Sequence, residues 1–251
     1  EPMKKDIYKI NSNKRLTDDV YEMVLCGDIS QITCPGQFIN IRIDGHYLRR
    51  PISVCDVSRD ESNVKIIYKV VGKGTEKMSC MKPGEALDIL TGLGNGYDIS
   101  KAEDKPLLIG GGVGVPPLYM LCRELVESGK TVDVILGFNK KNEIFYEDEF
   151  KKLCGEEHVH ISTVDGSYGT KGFVTDVMNH IDYSYFYTCG PEAMLKVVYS
   201  ASKTSGQFSF EERMGCGFGA CMGCSCKTVT GNKRICKEGP VLMKEEIIWE
   251  K

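Results

Sequence analysis

The sequence predicts a multidomain chain: an antiparallel β-barrel, an α/β unit built on a parallel sheet, and a small cysteine-rich module at the C-terminus. Three observations predict this order. Up to about residue 100 the apolar positions follow strand patterns broken by frequent turns; from Pro106 strands alternate with helices; and five of the twelve cysteines fall between residues 216 and 236. At 251 residues the chain can hold more than one domain, since single domains typically run about 100–200 residues. The expected units are residues 1–102, 103–206 and 207–251.

Composition narrows the class. With 41% hydrophobic and 27% charged residues the chain is an ordinary globular protein, not a disordered one. Thirty-two basic against thirty-five acidic residues give a net charge of -3, which leaves no basic field for nucleic acid and no polybasic membrane patch. The longest uncharged stretch, residues 106–122, carries four glycines and three prolines and makes a poor membrane span. No charged–apolar–small leader opens the chain, so the expected location is the cytoplasm.

In the first unit Ile39, Ile41 and Ile43 alternate with Asn40 and Arg42, and residues 64–71 are rich in β-branched and aromatic side chains. Pro35-Gly36 and Pro83-Gly84 punctuate the strands at turns, as in a small barrel. A short helical turn is expected over residues 75–81. Two segments suit a phosphate. The guanidinium in Arg49-Arg50-Pro51-Ile52-Ser53 is permanently charged and binds two oxygens at once. Gly72-Lys73-Gly74-Thr75, ahead of the helical turn, offers amides and a hydroxyl.

In the second unit the apolar run Leu107-Leu108-Ile109 meets Gly110-Gly111-Gly112-Val113-Gly114, after which Leu118, Leu121, Cys122 and Leu125 recur at helical spacing. Glycines permit a tight turn, and a helix N-terminus presents amides and a positive dipole end to a pyrophosphate. Pro116 and Pro117 sit in the first turn, where proline is tolerated. Strands are expected over 132–138, 159–164 and 185–188, and helices over 146–154 and 173–181. A last helix carries Met194, Val197, Val198 and Ala201 on one face. Thr188-Cys189-Gly190-Pro191 stands where the last strand gives way to this helix, and ligands of such sheets bind at the carboxyl ends of the strands. Both clusters therefore face one crevice.

The third unit contains Cys216, Cys221 and Cys224 in the spacing C-x4-C-x2-C, with Cys236 further on. The first three match plant-type [2Fe-2S] ligation. Gly215, Gly217, Gly219, Ala220 and Gly223 keep the loop small, so that amides can approach sulfur. A zinc site is the competing reading, although structural zinc usually takes two close pairs of ligands. Cys226 is a fifth cysteine for a four-ligand set, and Cys236 is the expected fourth ligand. The other seven cysteines read as small buried hydrophobes, Cys189 apart. His46, His158, His160 and His180 form no ligand or base motif.

Together these parts resemble the ferredoxin–NADP reductase superfamily and, within it, the electron-transfer subunits of type B dihydroorotate dehydrogenases. The resemblance spans nearly the whole chain. Its most specific piece is Glu212-Arg213-Met214-Gly215-Cys216-Gly217-Phe218-Gly219-Ala220-Cys221-Met222-Gly223-Cys224, continued by Ile235-Cys236-Lys237-Glu238-Gly239-Pro240-Val241. Asp165-Gly166-Ser167-Tyr168-Gly169 and Gly94-Asn95-Gly96 are similar to those subunits as well. The resemblance implies that Arg50, Pro51, Ile52, Ser53, Ile67, Tyr68, Lys69, Gly74 and Thr75 hold FAD. It implies that Gly110, Gly111, Gly112, Gly114, Cys189, Gly190 and Pro191 hold NAD, and that Cys216, Cys221, Cys224 and Cys236 hold a [2Fe-2S] cluster. No side chain is assigned a catalytic role. Many reductases place an aromatic residue against the flavin where this chain has Ile52; Tyr68 is the expected substitute.

The implied partner is an FMN-containing dihydroorotate dehydrogenase catalytic subunit, in a heterotetramer, with electrons passing from FMN to the cluster, to FAD and on to NAD+ in pyrimidine biosynthesis. A nicotinamide exchanges two electrons as hydride and the cluster takes one, so the flavin belongs between them. After the strand over 132–138 the chain offers Asn139, Lys140 and Lys141 but no arginine for a 2′-phosphate, which favours NAD over NADP. The alternatives are the small flavin subunit of an NADH-dependent ferredoxin:NADP oxidoreductase or sulfide dehydrogenase, and a zinc-stabilised binding module without flavin.

Overall fold

The computed structural model describes residues 3–249; residues 1–2 and 250–251, at the outer ends of the first and third expected units, lie outside the described residues. The first six strands are β1 (Lys4–Arg15), β2 (Val20–Cys26), β3 (Phe38–Ile41), β4 (Arg50–Ser58), β5 (Asn63–Lys69) and β6 (Ala86–Leu93). They close a barrel in the order β1-β2-β5-β4-β3-β6, with every neighbour antiparallel. Alternate side chains fill it: Tyr8 and Ile10, Met23 and Leu25, Ile39 and Ile41, Val64 and Ile66 are all buried. The helical turn expected over 75–81 is α1 (Lys73–Ser79), which starts two residues earlier because the Thr75 hydroxyl accepts the Val71 and Gly72 amides.

The α/β unit follows with β7 (Pro106–Gly111), α2 (Pro117–Glu127), β8 (Asp133–Phe138), α3 (Glu147–Cys154), β9 (Val159–Thr163), β10 (Thr170–Lys171), α4 (Val174–Met178), β11 (Tyr185–Cys189), α5 (Glu192–Ala201) and β12 (Gly206–Ser209). Next come the hairpin strands β13 (Ser225–Thr228) and β14 (Gly231–Arg234), and finally β15 (Val241–Met243). The sheet order is β10-β9-β8-β7-β11-β12-β15, parallel throughout except for the antiparallel edge pair β12–β15. All residues of β7 and β11 are buried, because helices cover both faces. Leu108, Val134, Leu136 and Tyr187 pack with Leu118 of α2 and Phe150 of α3. Leu107, Ile109, Ile135 and Phe186 pack with Val174 of α4 and Leu195 of α5.

Three expectations change. The boundary set at 206/207 falls inside β12, and β15 returns to the same sheet, so the cysteine module is an insertion in that sheet and not a separate tail. Its neck is closed by the pairs Gln207↔Met243, Phe208↔Leu242 and Ser209↔Val241, and by the Phe210 amide donating to the Pro240 carbonyl at 2.9 Å. The helix over 173–181 shortens to α4. On α5 the buried residues are Leu195 and Val198, whereas Val197 is 45% exposed, because that side of the helix borders a cleft and not the core. Asn40 also departs from strand alternation. It is buried, since the cysteine loop covers it.

The helix-opening turn is held to the sheet by side-chain packing: a Cβ on Gly110 would stand 2.9 Å from Leu118 Cδ1. Leu118 is fully buried. Leu118→Ala leaves a cavity there and is expected to cost about 3 kcal/mol, read as a lowered urea midpoint of the α/β unit.

Candidate functional site

Pairing between β4 and β5 begins at Val54↔Ile66 and runs on to Ser58↔Asn63, so the first residues of β4, which pair with β3, part from the end of β5. The parting opens a cleft of about 750 Å³. Arg50, Pro51, Ile52, Ser53, Ile67, Tyr68, Lys69 and Thr75 all line it. Phe38, Leu48, Arg49, Val71, Val113, Pro240 and residues 210–214 complete the wall, and of these the sequence had singled out only Arg49 for this site. Of the tandem arginines, Arg49 is engaged with Asp88 at 2.9 Å and with the Asp88 carbonyl. Arg50 donates to the Leu48 carbonyl at 2.7 Å and lies 3.4 Å from His46 Nδ1, and among the described residues it has no carboxylate partner. Gly74 lies behind it: a Cβ there would be 2.5 Å from Arg50 Nε. Thr75 donates its hydroxyl to the Gly72 carbonyl and accepts two amides, so that group caps its own turn. Tyr68 stacks on Tyr21 at 5.8 Å and donates to Asn13, and burial pushes its phenol up. Glu211 is open to the cleft yet closely surrounded by protein, and that desolvation raises its carboxyl.

A second cleft of about 600 Å³ lies at the carboxyl ends of β7, β8 and β9, where β7 sits between β8 and β11 and the strand order reverses. Gly111, Gly112 and Pro191 line it. Gly110, Gly114, Cys189 and Gly190 do not: they support it from behind. A Cβ on Gly114 would come within 2.4 Å of the Cys189 carbonyl oxygen and 2.5 Å of the Gly190 nitrogen. Cys189 is buried, which pushes its thiol well up and keeps it off both cleft walls. Phe138, Asn139, Glu143, Phe173 and Met194 are further wall residues. Lys140 and Lys141 are not among them; Lys141 sits over the Tyr168 ring at 5.6 Å, and its amide donates to Ser167. The two clefts share Lys69 and Val113.

The cysteine module abuts the first cleft, since Met214 lines the cleft two residues before Cys216. Gly217 and Gly219 have φ of +75° and +85°, a region that glycine reaches without strain, and they curl the loop around the sulfurs. The Ala220 and Cys221 amides donate to Cys216 Sγ at 3.2 and 3.4 Å, and the Cys236 amide donates to Cys224 Sγ at 3.4 Å. Cys216 stands beside Cys221 and Cys224 beside Cys236, and Cys236 is within reach of the Cys216 charge as well. Burial works to raise the Cys216 thiol, but the amides of Cys221, Phe218 and Ala220 and the Cys221 side chain bring it down to about 6. Burial and the Cys224 thiol push Cys236 up to about 12. Among the described residues no three His, Cys, Asp or Glu side chains converge on a single-ion position. Two thiol pairs fed by loop amides fit a two-iron rhomb, whose irons each take two thiolates. Cys226 stands in the hairpin opposite Lys233, half-buried against the cluster of side chains that contains Cys224 and Cys236.

Asn40, on β3 beneath the cysteine loop, donates from Nδ2 to the Cys216 carbonyl at 3.4 Å, and a Cβ on Gly217 would be 2.2 Å from that nitrogen. Strand alternation gave no signal for this contact. Gly114→Ala is expected to push the β7 turn off β11 and weaken NADH binding by about ten- to a hundredfold while FAD content stays constant, as measured by NADH titration of the flavin-loaded chain.

The sequence matches the iron-sulfur cluster binding domain of dihydroorotate dehydrogenase B over residues 211–248 and the oxidoreductase NAD-binding domain over residues 108–200. The electron transfer subunit of dihydroorotate dehydrogenase B (NAD(+)) from Fusobacterium nucleatum subsp. nucleatum is 45% identical, over 98% of this chain and 99% of that protein. The corresponding Bacillus cereus subunit is 42% identical over the same shares. Among solved structures, an NADH-dependent reduced ferredoxin-NADP oxidoreductase superposes with a TM-score of 0.88 at 30% identity, covering 97% of this chain and 90% of that one. A ferredoxin NADP+ reductase from Neisseria gonorrhoeae shares the fold, with a TM-score of 0.68 at 16% identity, covering 78% of this chain and 89% of that one. The chain belongs to the family of dihydroorotate dehydrogenase B electron transfer subunits.

Proposed function

We propose that this chain carries electrons between an FMN-containing dihydroorotate dehydrogenase catalytic subunit and NAD+, by way of a [2Fe-2S] cluster and FAD, in pyrimidine biosynthesis. The observation that carries the reading is contiguity. The first cleft shares Lys69 and Val113 with the second, and its wall at residues 210–214 runs on into Cys216. It is the middle station of three. FAD bound there supplies the conversion between hydride and single electrons that neither neighbouring carrier performs.

The protein's own residues position and shield. Arg50 meets the pyrophosphate charge with a guanidinium that no carboxylate among the described residues neutralises, and Gly74 gives it room. Pro51, Ile52, Ser53, Ile67 and Tyr68 wall the flavin ring from water, while Lys69 stands at the junction with the nicotinamide cleft. Gly111, Gly112 and Pro191 contact the dinucleotide, and Gly110, Gly114, Cys189 and Gly190 keep that turn pressed on the sheet. Cys216, Cys221, Cys224 and Cys236 hold the cluster. Phe218 and Met222, 43% and 60% exposed on the cluster loop, form its outer apolar face, where the catalytic subunit docks in a cytoplasmic heterotetramer. No helix among the described residues is long and apolar enough to cross a membrane.

The ferredoxin:NADP oxidoreductase alternative shares the architecture, but the identity is 30% against 45% for the dihydroorotate dehydrogenase subunit. The zinc alternative usually takes two close pairs of ligands, a spacing this chain lacks, and residues 211–248 match an iron-sulfur cluster binding domain. NAD is favoured over NADP by Glu143, whose carboxylate lines the second cleft and accepts the Asn139 amide at 3.1 Å, while Lys140 and Lys141 lie off its wall. A 2′-phosphate there meets a like charge.

Serine at Cys216, Cys221, Cys224 or Cys236 is expected to abolish the cluster's absorbance and iron content with FAD retained, whereas Cys226→Ser keeps both. Glu143→Gln is expected to narrow the NADH-over-NADPH preference by about tenfold, read as the ratio of kcat/KM values in a dye-reduction assay. The isolated chain is expected to be inactive on dihydroorotate until the catalytic subunit is added. Activity without that subunit would defeat the reading.

A further inference from the structure

The Gly94-Asn95-Gly96 turn ends β6 of the barrel, outside both clefts. Gly94 and Gly96 have φ of +78° and +77°, and between them they press Asn95 against the chain that leaves the cysteine module. A Cβ on Gly94 would stand 2.7 Å from Pro240 Cδ. Asn95 then takes hold of that chain at four points. Its amide donates to the Gly239 carbonyl at 2.8 Å, and its Nδ2 donates to the carbonyls of Glu238 at 3.1 Å and Val241 at 2.7 Å. Its Oδ1 accepts the Val241 amide at 3.1 Å. The turn is itself tied to the barrel: Gln37 Nε2 donates to the Gly94 carbonyl at 3.2 Å, and the Cys34 thiol donates to the Asn95 carbonyl at 3.3 Å.

The captured segment begins two residues after Cys236 and contains Pro240, a wall residue of the first cleft. One side chain of the flavin-holding barrel therefore fixes the backbone that carries a cluster ligand. We propose that Asn95 is a positioning residue that sets the gap between FAD and the cluster, and with it the rate at which electrons cross. The inference rests on the functional reading above. Asn95 touches no reacting atom, and its effect falls on one step: NADH reaches the flavin through the second cleft, on the other side of Val113.

The test uses the full chain loaded with FAD and cluster and assembled with its catalytic subunit, in the wild type, Asn95→Ala and Asn95→Asp. Alanine removes the three side-chain bonds; aspartate keeps the acceptor for Val241 but turns a carboxylate towards two carbonyls. Anaerobic stopped-flow with NADH follows flavin reduction and then cluster bleaching, and hydrogen exchange reads the Val241 amide. In both variants FAD content, iron content and the flavin step are expected to match the wild type. Bleaching of the cluster is expected to slow by about ten- to a hundredfold, as for a small misplacement of reacting groups, and Val241 exchanges faster. Unchanged bleaching, or equal slowing of both steps, would overturn the proposal. So would loss of iron with FAD retained, since Asn95 would then be holding the ligand and not setting a distance. A wild-type complex whose cluster NADH does not reduce would remove the functional reading itself, and this inference with it.

Discussion

The antiparallel pairing of β12 with β15 is the constraint on which the arrangement depends. Three register pairs, reinforced by the Phe210 amide on the Pro240 carbonyl, close residues 210–240 into a loop at the edge of the α/β sheet. Both ends of that loop emerge at the first cleft, with Phe210 and Pro240 among its wall residues. The neck of the loop cannot leave the cleft without breaking sheet hydrogen bonds. A cluster on a flexible tail would have no defined distance to its electron partner; a cluster on a pinched loop has one.

The second requirement is that the two clefts adjoin, and this follows from backbone approach more than from any side chain. The turn after β7 reaches the start of α5 only because Gly114 carries no Cβ against Cys189 and Gly190. Val113, on that turn, then serves as wall to both clefts. The barrel contributes from the other side through Lys69, and the ion pair Arg123–Asp56 at 2.7 Å holds α2 against β4. Three units thus meet along shared walls, which suits carriers that must exchange electrons without exchanging solvent.

Much of this was legible in the sequence where the signal is local. The alternation of strands with helices after Pro106 announced the parallel sheet, and C-x4-C-x2-C announced the cluster loop. The residues expected at the flavin site line one cleft, Gly74 excepted, which packs behind Arg50. The nicotinamide set divides into wall and support, a distinction that needs the third dimension: Cys189 follows a strand and precedes a helix, but only packing reveals that it is buried. β12 and β15 are short and lie far apart in the chain, so no periodicity marks them as partners. Asn40 and Asn95 were missed for a related reason. Asn40 bonds the Cys216 carbonyl and Asn95, read only as part of a family-like turn, bonds residues 238–241; no local pattern links positions 176 and 146 apart, a separation only the fold closes.

The central claim is that Cys216, Cys221, Cys224 and Cys236 hold one cluster beside the first cleft and that this cleft holds FAD. Anomalous diffraction at the iron edge from crystals of the anaerobically loaded chain tests it most directly. The account predicts two iron peaks, one between Cys216 and Cys221 and one between Cys224 and Cys236, with FAD density in the neighbouring cleft. A single peak equidistant from all four sulfurs, or iron in a chain whose cleft holds no flavin, would contradict it.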